Sequence, residues 1–280
     1  PGEHDRISGV ELLSRVLEVD QTPIGKTPRS IPASYVGFFD EIRRLFASTT
    51  ESRIRGYTPG RFSFNVSGGR CAACAGQGTI KMEMSFLPNV YVRCEGCRGR
   101  RFNEETLSST FRGRNIHEVL SMTLAEAEEL FRPIPSIHRP LSLLNGIGLG
   151  YLTLGQPSNT LSGGEAQRIK LAYELAKPSR EGTLYVLDEP TTGLHLGDIE
   201  KLVGVLHELV DSGATVVVIE HNLDVVAEAD CVIDLGPEGG DRGGRLLSWG
   251  PPSALMRQGG SLTGKFLRER LEGTKVEAAS

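Results

Sequence analysis

Two apolar runs separated by an amphipathic stretch constrain the fold of this 280-residue chain more than any other feature. Thr183 to Leu187 and Ala214 to Ile219 are rich in aliphatic residues, and Asp198 to Val210 between them has apolar residues at helical spacing. Strand, helix and strand in this order predict a right-handed parallel βαβ unit that is buried on both faces. Cys231 to Leu235 is predicted as a third strand, with Cys231 as a core residue. The fold class is therefore α/β.

Charged residues follow both strands of this predicted unit. Asp188 and Glu189 end the first strand, and Glu220 and His221 follow the second. Ligands of open α/β sheets bind beyond the carboxyl ends of the strands, so a site is expected there. Asp188 fits the role of holding Mg²⁺ through water, Glu189 that of polarising an attacking water, and His221 that of a hydrogen-bond donor to a γ-phosphate. The alternatives are a structural histidine and two carboxylates that cap a turn before Pro190.

A serine and two glycines open another predicted helix ahead of these strands. Leu161-Ser162-Gly163-Gly164-Glu165 is followed by Ala166 to Ala172 at helical spacing. The Ser162 hydroxyl and the glycine amides can approach a phosphate closely, and the positive end of the helix dipole faces the same anion. A bare Ser-Gly-Gly is common in turns. Followed by this helix and by a strand that ends in Asp-Glu, it is typical of an ATP-binding cassette (ABC) ATPase, with Ser162, Gly163, Gly164 and Glu165 as nucleotide contacts.

The phosphate loop that normally accompanies such a signature is missing. GxxxxGK[ST] occurs nowhere in the 280 residues, so the lysine for the β- and γ-phosphates and the Ser/Thr ligand for Mg²⁺ are absent. We therefore expect the isolated chain to hydrolyse ATP very weakly or not at all, and to be part of a larger machine. The glycine-rich run Gly236 to Gly244 lacks the lysine and a following helix, and is predicted as a turn before Arg245 to Trp249.

Four of the five cysteines form two CxxC pairs, Cys71 with Cys74 and Cys94 with Cys97, separated by 19 residues. This spacing predicts a four-thiolate zinc site, and a filled shell of four cysteines leaves no open position, so the metal is expected to be structural. Unligated thiols or a redox pair are the alternatives. Metal-binding cysteines, together with no signal-peptide pattern at the start and no apolar run of about 18 residues, predict a cytoplasmic location without membrane contact.

Positive charge concentrates around the cysteines. Between Arg53 and Arg114 there are eleven basic and four acidic residues, although the whole chain has a formal net charge of -4. Positive charge interleaved with aromatic rings suits a nucleic-acid surface, and a solvated face over a small aromatic core is an equally good explanation. The basic residues are Arg70, Lys81, Arg93, Arg98, Arg100, Arg101, Arg112 and Arg114, and the aromatic residues are Phe86, Tyr91 and Phe102.

The first half of the chain supplies the remaining elements. Val10 to Val19 ends in a β-type run, and the loop that follows contains Gln21, which could sense Mg²⁺ and the attacking water. A helix is predicted over Tyr35 to Phe46 from its apolar spacing. Thr123 and Glu126 form a predicted capping box that opens a further helix.

Together these residues resemble the UvrA family, the damage-recognising ATPase subunit of the bacterial UvrABC excision nuclease, in its C-terminal cassette after the phosphate loop. The resemblance covers almost the whole chain. The matching segments are Asp20 to Ser30, Gly60 to Val66, the four paired cysteines, Leu154 to Pro157, Leu161 to Glu165, Leu187 to His195, Val218 to Asp224 and Ile233 to Asp241.

The resemblance implies an ABC-type core with a helical signature subdomain and an inserted four-cysteine zinc module. It implies Zn²⁺, ATP and Mg²⁺ as cofactors, Gln21 as the Q-loop residue, Asp188 and Glu189 as Walker B and His221 as the switch. The expected division is residues 1–50 and 181–280 for the ATP-binding core, 51–115 for the zinc insertion and 116–180 for the signature subdomain.

The implied partners are damaged duplex DNA, bound without sequence preference, and the rest of a UvrA-like chain or a second copy. The family's UvrB site lies in its N-terminal half, and nothing in this chain matches it. Two alternatives remain at this point: a zinc-dependent nucleic-acid-binding module with an inactive cassette remnant, and a UvrA-related antibiotic self-resistance ATPase. A transporter ATPase is disfavoured because such proteins lack this cysteine insertion.

Overall fold

A computed structural model describes residues 4–25, 27–82, 90–177, 181–238, 240, 243–258 and 260–277, with side chains up to residue 272. The chain forms two compact units, one of residues 1–18 with 181–280 and the other of residues 19–180. Within the described ranges, no helix is long and apolar enough to cross a membrane.

The strands are β1 (Arg15–Val19), β2 (Thr79–Met82), β3 (Val90–Arg93), β4 (Thr110–Phe111), β5 (Arg114–Asn115), β6 (Thr183–Asp188), β7 (Thr215–Ile219), β8 (Val232–Gly236) and β9 (Arg245–Gly250). The helices are α1 (Pro32–Val36), α2 (Phe39–Ala47), α3 (Thr50–Ile54), α4 (Glu104–Leu107), α5 (Ile116–Ser121), α6 (Leu124–Phe131), α7 (Pro135–Gly146), α8 (Gly163–Leu175), α9 (Leu196–Asp211), α10 (Leu223–Ala227), α11 (Pro252–Leu255) and α12 (Leu262–Glu277). Short 3₁₀ turns lie at Val10–Leu12, Pro59–Phe62 and Ser158–Thr160.

The predicted βαβ unit is confirmed. Strands β6 and β7 pair in parallel with Asp188 opposite Ile219, and α9 connects them. The apolar stripe of α9 buries Ile199, Leu202 and Leu209. This arrangement fixes the carboxyl ends of both strands at one edge of the sheet.

The expected burial on both faces of the sheet is wrong for β7. Val217 and Ile219, which point to the same side of the strand, are 44% and 56% exposed. Among the described residues the sheet has the order β1-β6-β7, so β7 is an end strand, and α9 packs against it. A strand is buried on both faces only when both faces are packed against other elements.

The expectation for the third strand also needs correction. The third strand of this sheet is β1, whereas β8 pairs antiparallel with β9 in a separate hairpin. A hairpin forms because the glycine-rich run reverses the chain directly after β8, as the predicted turn requires; residues 239, 241 and 242 of that run lie outside the described residues.

Cys231 is exposed and precedes β8, so its predicted place in a core is wrong. The buried side of β8 is polar at its centre. The Asp234 carboxylate there accepts hydrogen bonds from the hydroxyls of Ser261 (2.6 Å) and Thr263 (2.9 Å). The apolar residues Ile233 and Leu235 face outward instead.

The second unit is built on an aromatic core. Phe39 stacks on Phe64, and Phe46 packs against Phe62. The helix predicted over Tyr35 to Phe46 is interrupted, because Gly37 adopts φ 99° and ends α1 before α2 begins. The same unit contains the segment of residues 51–115 with the four paired cysteines, which we call the cysteine module, and the signature helix α8.

Candidate functional site

The four cysteines predicted to bind zinc lie together. All four are buried, and their sulfur atoms lie within 4.8 Å of one another. The sulfurs of Cys74 and Cys97 are 3.6 Å apart, far beyond a disulfide bond of about 2.05 Å. Four sulfurs at about 2.3 Å from a tetrahedral zinc ion lie about 3.8 Å from one another. Cys71, Cys74, Cys94 and Cys97 therefore lie close enough together to be the four ligands of a zinc ion.

Backbone groups around the cysteines shape the two turns. The Gly78 N–H donates to the Cys74 sulfur at 3.2 Å, and the Arg101 N–H donates to the Cys97 sulfur. The Cys94 N–H donates to the Gly78 carbonyl at 3.0 Å, which joins one CxxC turn to the other. Gly78 has φ 77°, and a Cβ there would lie 2.9 Å from the Gly99 carbonyl oxygen, so this position requires glycine.

Burial raises the pKa of two of the thiols, whereas a hydrogen bond from the Cys97 backbone lowers the pKa of Cys94. Burial raises the pKa of Cys97 to about 12, and it also raises the pKa of Cys74. Without a metal these two groups are neutral thiols near pH 7, and a bound dication supplies the charge that stabilises thiolates. With four sulfurs filling the shell, the site can hold a metal firmly but offers it no place for a substrate.

The basic residues around this centre do not form one uniform surface. Lys81, Arg93, Arg98, Arg112 and Arg114 are exposed, as a nucleic-acid surface requires. Arg101, by contrast, is only 8% exposed. Its expected contact with a polyanion is wrong for this structure because the side chain lies within the protein.

The aromatic residues that were predicted to stack on nucleic-acid bases also differ in exposure. Phe102 is 1% exposed and its ring centre lies 6.2 Å from that of Phe64, so it belongs to the core of the unit. Tyr91 on β3 is 46% exposed and remains available. Phe86 lies outside the described residues.

The signature loop has the geometry of a capped helix start. The Glu165 N–H donates to the Ser162 hydroxyl at 3.3 Å, and the Ser162 N–H donates to Glu165 Oε2 at 2.7 Å, which closes a capping box on α8. The Tyr151 hydroxyl donates to Glu165 Oε1 at 2.6 Å. Both carboxylate oxygens of Glu165 are thus occupied, while Ser162 is exposed and Gly163 and Gly164 begin α8.

Gln21 lies against this loop within the same unit. A Cβ on Gly163 would come 2.9 Å from Gln21 Oε1 and 3.0 Å from Gln21 Cβ, so the two residues lie in close contact. Two side chains farther along α8 also hold the loop that contains Gln21. The Gln167 side chain donates to the Val19 carbonyl at 2.7 Å, and the Lys170 ammonium contacts the Asp20 carboxylate and the Thr22 hydroxyl.

The ion pair with Lys170 lowers the pKa of Asp20, because the ammonium donates to the charged carboxylate. Asp20, Gln167 and Lys170 were not recognised from the sequence. The only sequence pattern that could have indicated them is the spacing of Gln167 and Lys170. Three residues apart, they share one face of the helix that follows the signature.

The Walker B and switch residues meet at the edge of the other unit. Glu189 Oε1 and His221 Nδ1 are 3.9 Å apart, and the two side chains are 51% and 78% exposed. The Glu189 N–H donates to the Ile219 carbonyl at 2.9 Å, which ties the end of β6 to the end of β7. Glu189 has φ 43°, a conformation that is costly for a residue with a side chain. Asp188 is exposed beside it.

Glu220 organises this edge of the sheet, a role that the sequence did not indicate beyond its place at a strand end. Its carboxylate accepts from the backbone N–H groups of Thr191 (3.0 Å), His221 (2.9 Å) and Asn222 (3.0 Å), and from the Thr191 hydroxyl. Partial burial alone raises the pKa of Glu220, but these hydrogen bonds outweigh it and lower the pKa below the ordinary value of 4.5. Glu220 thus joins the loop after Asp188-Glu189 to the His221 loop.

The predicted nucleotide residues therefore form two local groups. Gln21 lies with Ser162, Gly163, Gly164 and Glu165 in the unit of residues 19–180, and Asp188 and Glu189 lie with His221 in the other unit. Each group presents exposed polar atoms at a helix start or at strand ends. Both locations favour phosphate or metal-bound water.

Comparisons with known proteins give a consistent result. The chain is 62% identical over 267 residues to UvrABC system protein A of Thermus thermophilus, covering 95% of this chain and 28% of the relative. It is 58% identical over all 280 residues to UvrABC system protein A of Mycobacterium tuberculosis, of which it covers 29%. The chain thus spans under a third of the length of these curated relatives. No protein-family model matches it.

A solved structure agrees with the sequence comparisons. The crystal structure of UvrA2 from Deinococcus radiodurans superposes with a TM-score of 0.88 at 52% identity, over 93% of this chain and 32% of that one. This match establishes an ABC-type α/β fold with helical additions for the chain, and the four clustered cysteines provide the ligand set of a zinc module.

Proposed function

The chain belongs to the UvrA family over the segment that it spans, and from this premise we propose that it is the part of an ABC ATPase that acts in DNA damage recognition during nucleotide excision repair. Identity of 58% along all 280 residues carries this proposal, because it includes the signature, the Walker B strand and the four cysteines together. The alternatives of an inactive cassette remnant and a self-resistance ATPase have no comparable support.

For nucleotide chemistry we assign the residues of the two local groups. In this proposal Asp188 holds Mg²⁺ through water, Glu189 polarises the attacking water and His221 contacts the γ-phosphate. Gln21 senses the metal and the water. Ser162, Gly163, Gly164 and Glu165 contact a phosphate from the start of α8. ATP and Mg²⁺ are accordingly the proposed cofactors, with the phosphate loop supplied from outside these 280 residues.

For DNA we assign the exposed basic residues of the cysteine module. Cys71, Cys74, Cys94 and Cys97 hold a structural Zn²⁺ that fixes the module, and Arg93 and Arg98 contact phosphates of duplex DNA. Contacts of this kind carry no sequence preference, which suits a protein that must respond to damage anywhere. The remaining partner is the rest of a UvrA-like chain or a second copy, and no UvrB site is assigned to these residues.

We further propose that the chain is organised in four segments. By role, residues 1–50 and 181–280 belong to the ATP-binding core, 51–115 to the zinc insertion and 116–180 to the signature subdomain; by packing, residues 19–50 lie in one compact unit with residues 51–180. The supporting observations are that the paired cysteines with their hairpin, β2 and β3, lie within 51–115, and that α5 to α8 fill 116–180.

A chimera tests the function. The homologous segment of the Thermus thermophilus relative is replaced by these 280 residues, and binding to a duplex with one bulky adduct is compared with binding to the undamaged duplex. We expect the chimera to prefer the adduct and to hydrolyse ATP, and the same chimera with Glu189→Gln to bind nucleotide with lower turnover. A chimera that folds, retains zinc and binds nucleotide, but does not discriminate the damaged duplex, would refute the proposed role.

A further inference from the structure

Arg101 is a buried cation that lies between the four-cysteine centre and the segment leading to the signature loop. Among the described residues, Arg101 and Arg168 are the buried basic side chains, and Arg101 is the one in the cysteine module. Burying a guanidinium is costly unless negative charge or hydrogen bonds compensate it. Its position therefore needs an explanation beyond the charge of a solvated surface.

The contacts of Arg101 reach the cysteine centre on one side. Its backbone N–H donates to the Cys97 sulfur, and its carbonyl accepts from the Cys71 N–H at 2.8 Å. Its side chain passes beside Gly78, where a Cβ would lie 3.2 Å from Arg101 Cγ. Gly78 is the residue whose N–H donates to Cys74. Arg101 thus touches the surroundings of both CxxC turns with its main chain and its stem.

The guanidinium of Arg101 also contacts residues outside the two CxxC turns. Its Nη2 donates to the Gly155 carbonyl at 3.1 Å, and the group lies 5.1 Å from the ring centre of Phe64. Nη1 is buried and has no hydrogen-bond partner among the described residues. One hydrogen bond and one ring do not satisfy a buried guanidinium, and the negative charge of the Cys74 and Cys97 thiolates opposes the cost of its burial. Four thiolates around a dication retain a formal charge of about -2.

Gly155, which accepts the hydrogen bond from Arg101, is also fixed by Leu120. Its N–H donates to the Leu120 carbonyl at 2.8 Å, and a Cβ on Gly155 would lie 2.9 Å from Leu120 atoms. Three residues later, the buried Ser158 donates its hydroxyl to the Gly25 carbonyl at 2.9 Å, and its N–H to the Ser30 carbonyl at 2.8 Å. The segment whose Gly155 carbonyl accepts a hydrogen bond from Arg101 therefore also holds, through Ser158, the loop that follows Gln21.

We propose that Arg101 is a positioning residue that both stabilises the metal-thiolate centre and fixes the segment of residues 154–158 ahead of the signature loop. Its positive charge offsets the thiolates, and its hydrogen bond holds the Gly155 carbonyl. The inference rests on the proposed zinc centre but not on DNA recognition. Groups outside the ligand shell commonly change metal affinity by about 10- to 100-fold.

The test compares Arg101→Met with Arg98→Met in the zinc-loaded 280-residue chain. Both positions have positive φ, 70° for Arg101 and 52° for Arg98, and both follow Cys97, but Arg98 is exposed, so the control matches the backbone and removes the same charge. We expect zinc release to a colorimetric chelator to become at least about tenfold faster in Arg101→Met only. Amide hydrogen exchange over residues 153–158 should also increase in Arg101→Met, and exchange in β6 should stay unchanged.

Arg101→Lys separates the two roles of the side chain. The ammonium keeps the charge but cannot reproduce the fork of donors, so zinc release close to wild type with faster exchange at residues 153–158 is expected. This variant also decides the case if Arg101→Met fails to fold. Equal zinc release and equal exchange in the Arg101 and Arg98 variants would overturn the inference. A wild-type chain that binds no zinc would instead refute the zinc centre itself.

Discussion

Glu220 links two loops with a single carboxylate, which makes it a sensitive point of the Walker B edge. It receives three backbone N–H groups and one hydroxyl from Thr191, His221 and Asn222. Hydrogen bonds to a charged acceptor contribute more than neutral ones, and a neutral amide in its place accepts fewer and weaker bonds. The position of His221 therefore depends on a neighbour that has no assigned contact with nucleotide.

Glu220→Gln should lower the free energy of unfolding by about 1–2 kcal/mol at pH 7, because Glu220 is only half-buried. The pKa of Glu220 is depressed, so its contribution is present at neutral pH and is lost as the pH falls through the folded-state pKa, below 4.5. Urea unfolding followed by circular dichroism should show the two proteins converging at acidic pH. Glu228→Gln, at an exposed position on the same unit, is the control. A difference that persists unchanged at low pH would contradict this account.

The signature helix shows how one secondary-structure element organises several loops. Its N-terminal residues close a capping box, and its body holds Val19, Asp20 and Thr22 through Gln167 and Lys170. A change at the helix start should therefore affect the Gln21 loop as well as the helix itself.

Ser162→Ala should destabilise the second unit by about 1 kcal/mol, since it removes the side-chain acceptor at the helix start. Faster hydrogen exchange is expected at the first turn of α8 and in residues 19–22. Thr123→Ala removes the equivalent cap from α6, so it should cost a similar amount without affecting residues 19–22. Equal exchange of residues 19–22 in both variants would indicate that α8 does not hold that loop.

The cysteine module should be the first element to respond to loss of metal. Its hairpin, β2 and β3, has mostly exposed side chains, including Ile80, Met82 and Val92, and therefore has little core of its own. A chelator should increase hydrogen exchange within residues 60–110 before the β6 and β7 strands respond. Thermal unfolding that is insensitive to chelation would show that the zinc assignment is wrong.

Local patterns predicted these elements well, and distant contacts account for what they missed. The capping box at Thr123, the helix start after Ser162, the βαβ unit and the CxxC spacing are each encoded within a few residues, and the structure confirms them as structural features. The burial of Arg101 depends on Gly155, 54 residues away. The pairing of β8 with β9 and the exposure of Val217 depend on which elements cover each strand, and residue periodicity does not encode that.

The charge distribution of the whole chain indicates how it would bind a polyanion such as DNA. The formal net charge is -4, yet the cysteine module has a basic excess, so attraction to DNA should be local and easily screened. We expect weak binding of duplex DNA without sequence preference, with affinity that falls steeply as salt increases.

Arg93→Ala with Arg98→Ala should reduce the slope of log affinity against log salt by about 2, since each phosphate contact contributes about 0.9. Arg44→Ala with Arg132→Ala removes the same charge from exposed positions outside the module and is the control. Fluorescence anisotropy of a labelled duplex at several salt concentrations measures both slopes. Equal slopes in the two double variants would place DNA elsewhere on the protein.

Catalysis depends on what these 280 residues lack as well as on what they carry. Asp188, Glu189 and His221 lie at one strand edge, but no GxxxxGK[ST] loop is present to bind the β- and γ-phosphates. Positioning and electrostatic stabilisation supply most of the catalysis in phosphoryl transfer, so a carboxylate alone should achieve little.

We therefore expect the purified chain to release phosphate from Mg²⁺-ATP at the background rate, whereas the chimera with the Thermus thermophilus relative should turn over. Glu189→Gln should lower that turnover by removing the contribution of this cassette, and Glu200→Gln, the same change at an exposed position on α9, should leave it unchanged. Turnover by the isolated chain that Glu189→Gln abolishes would mean that another segment binds the phosphates.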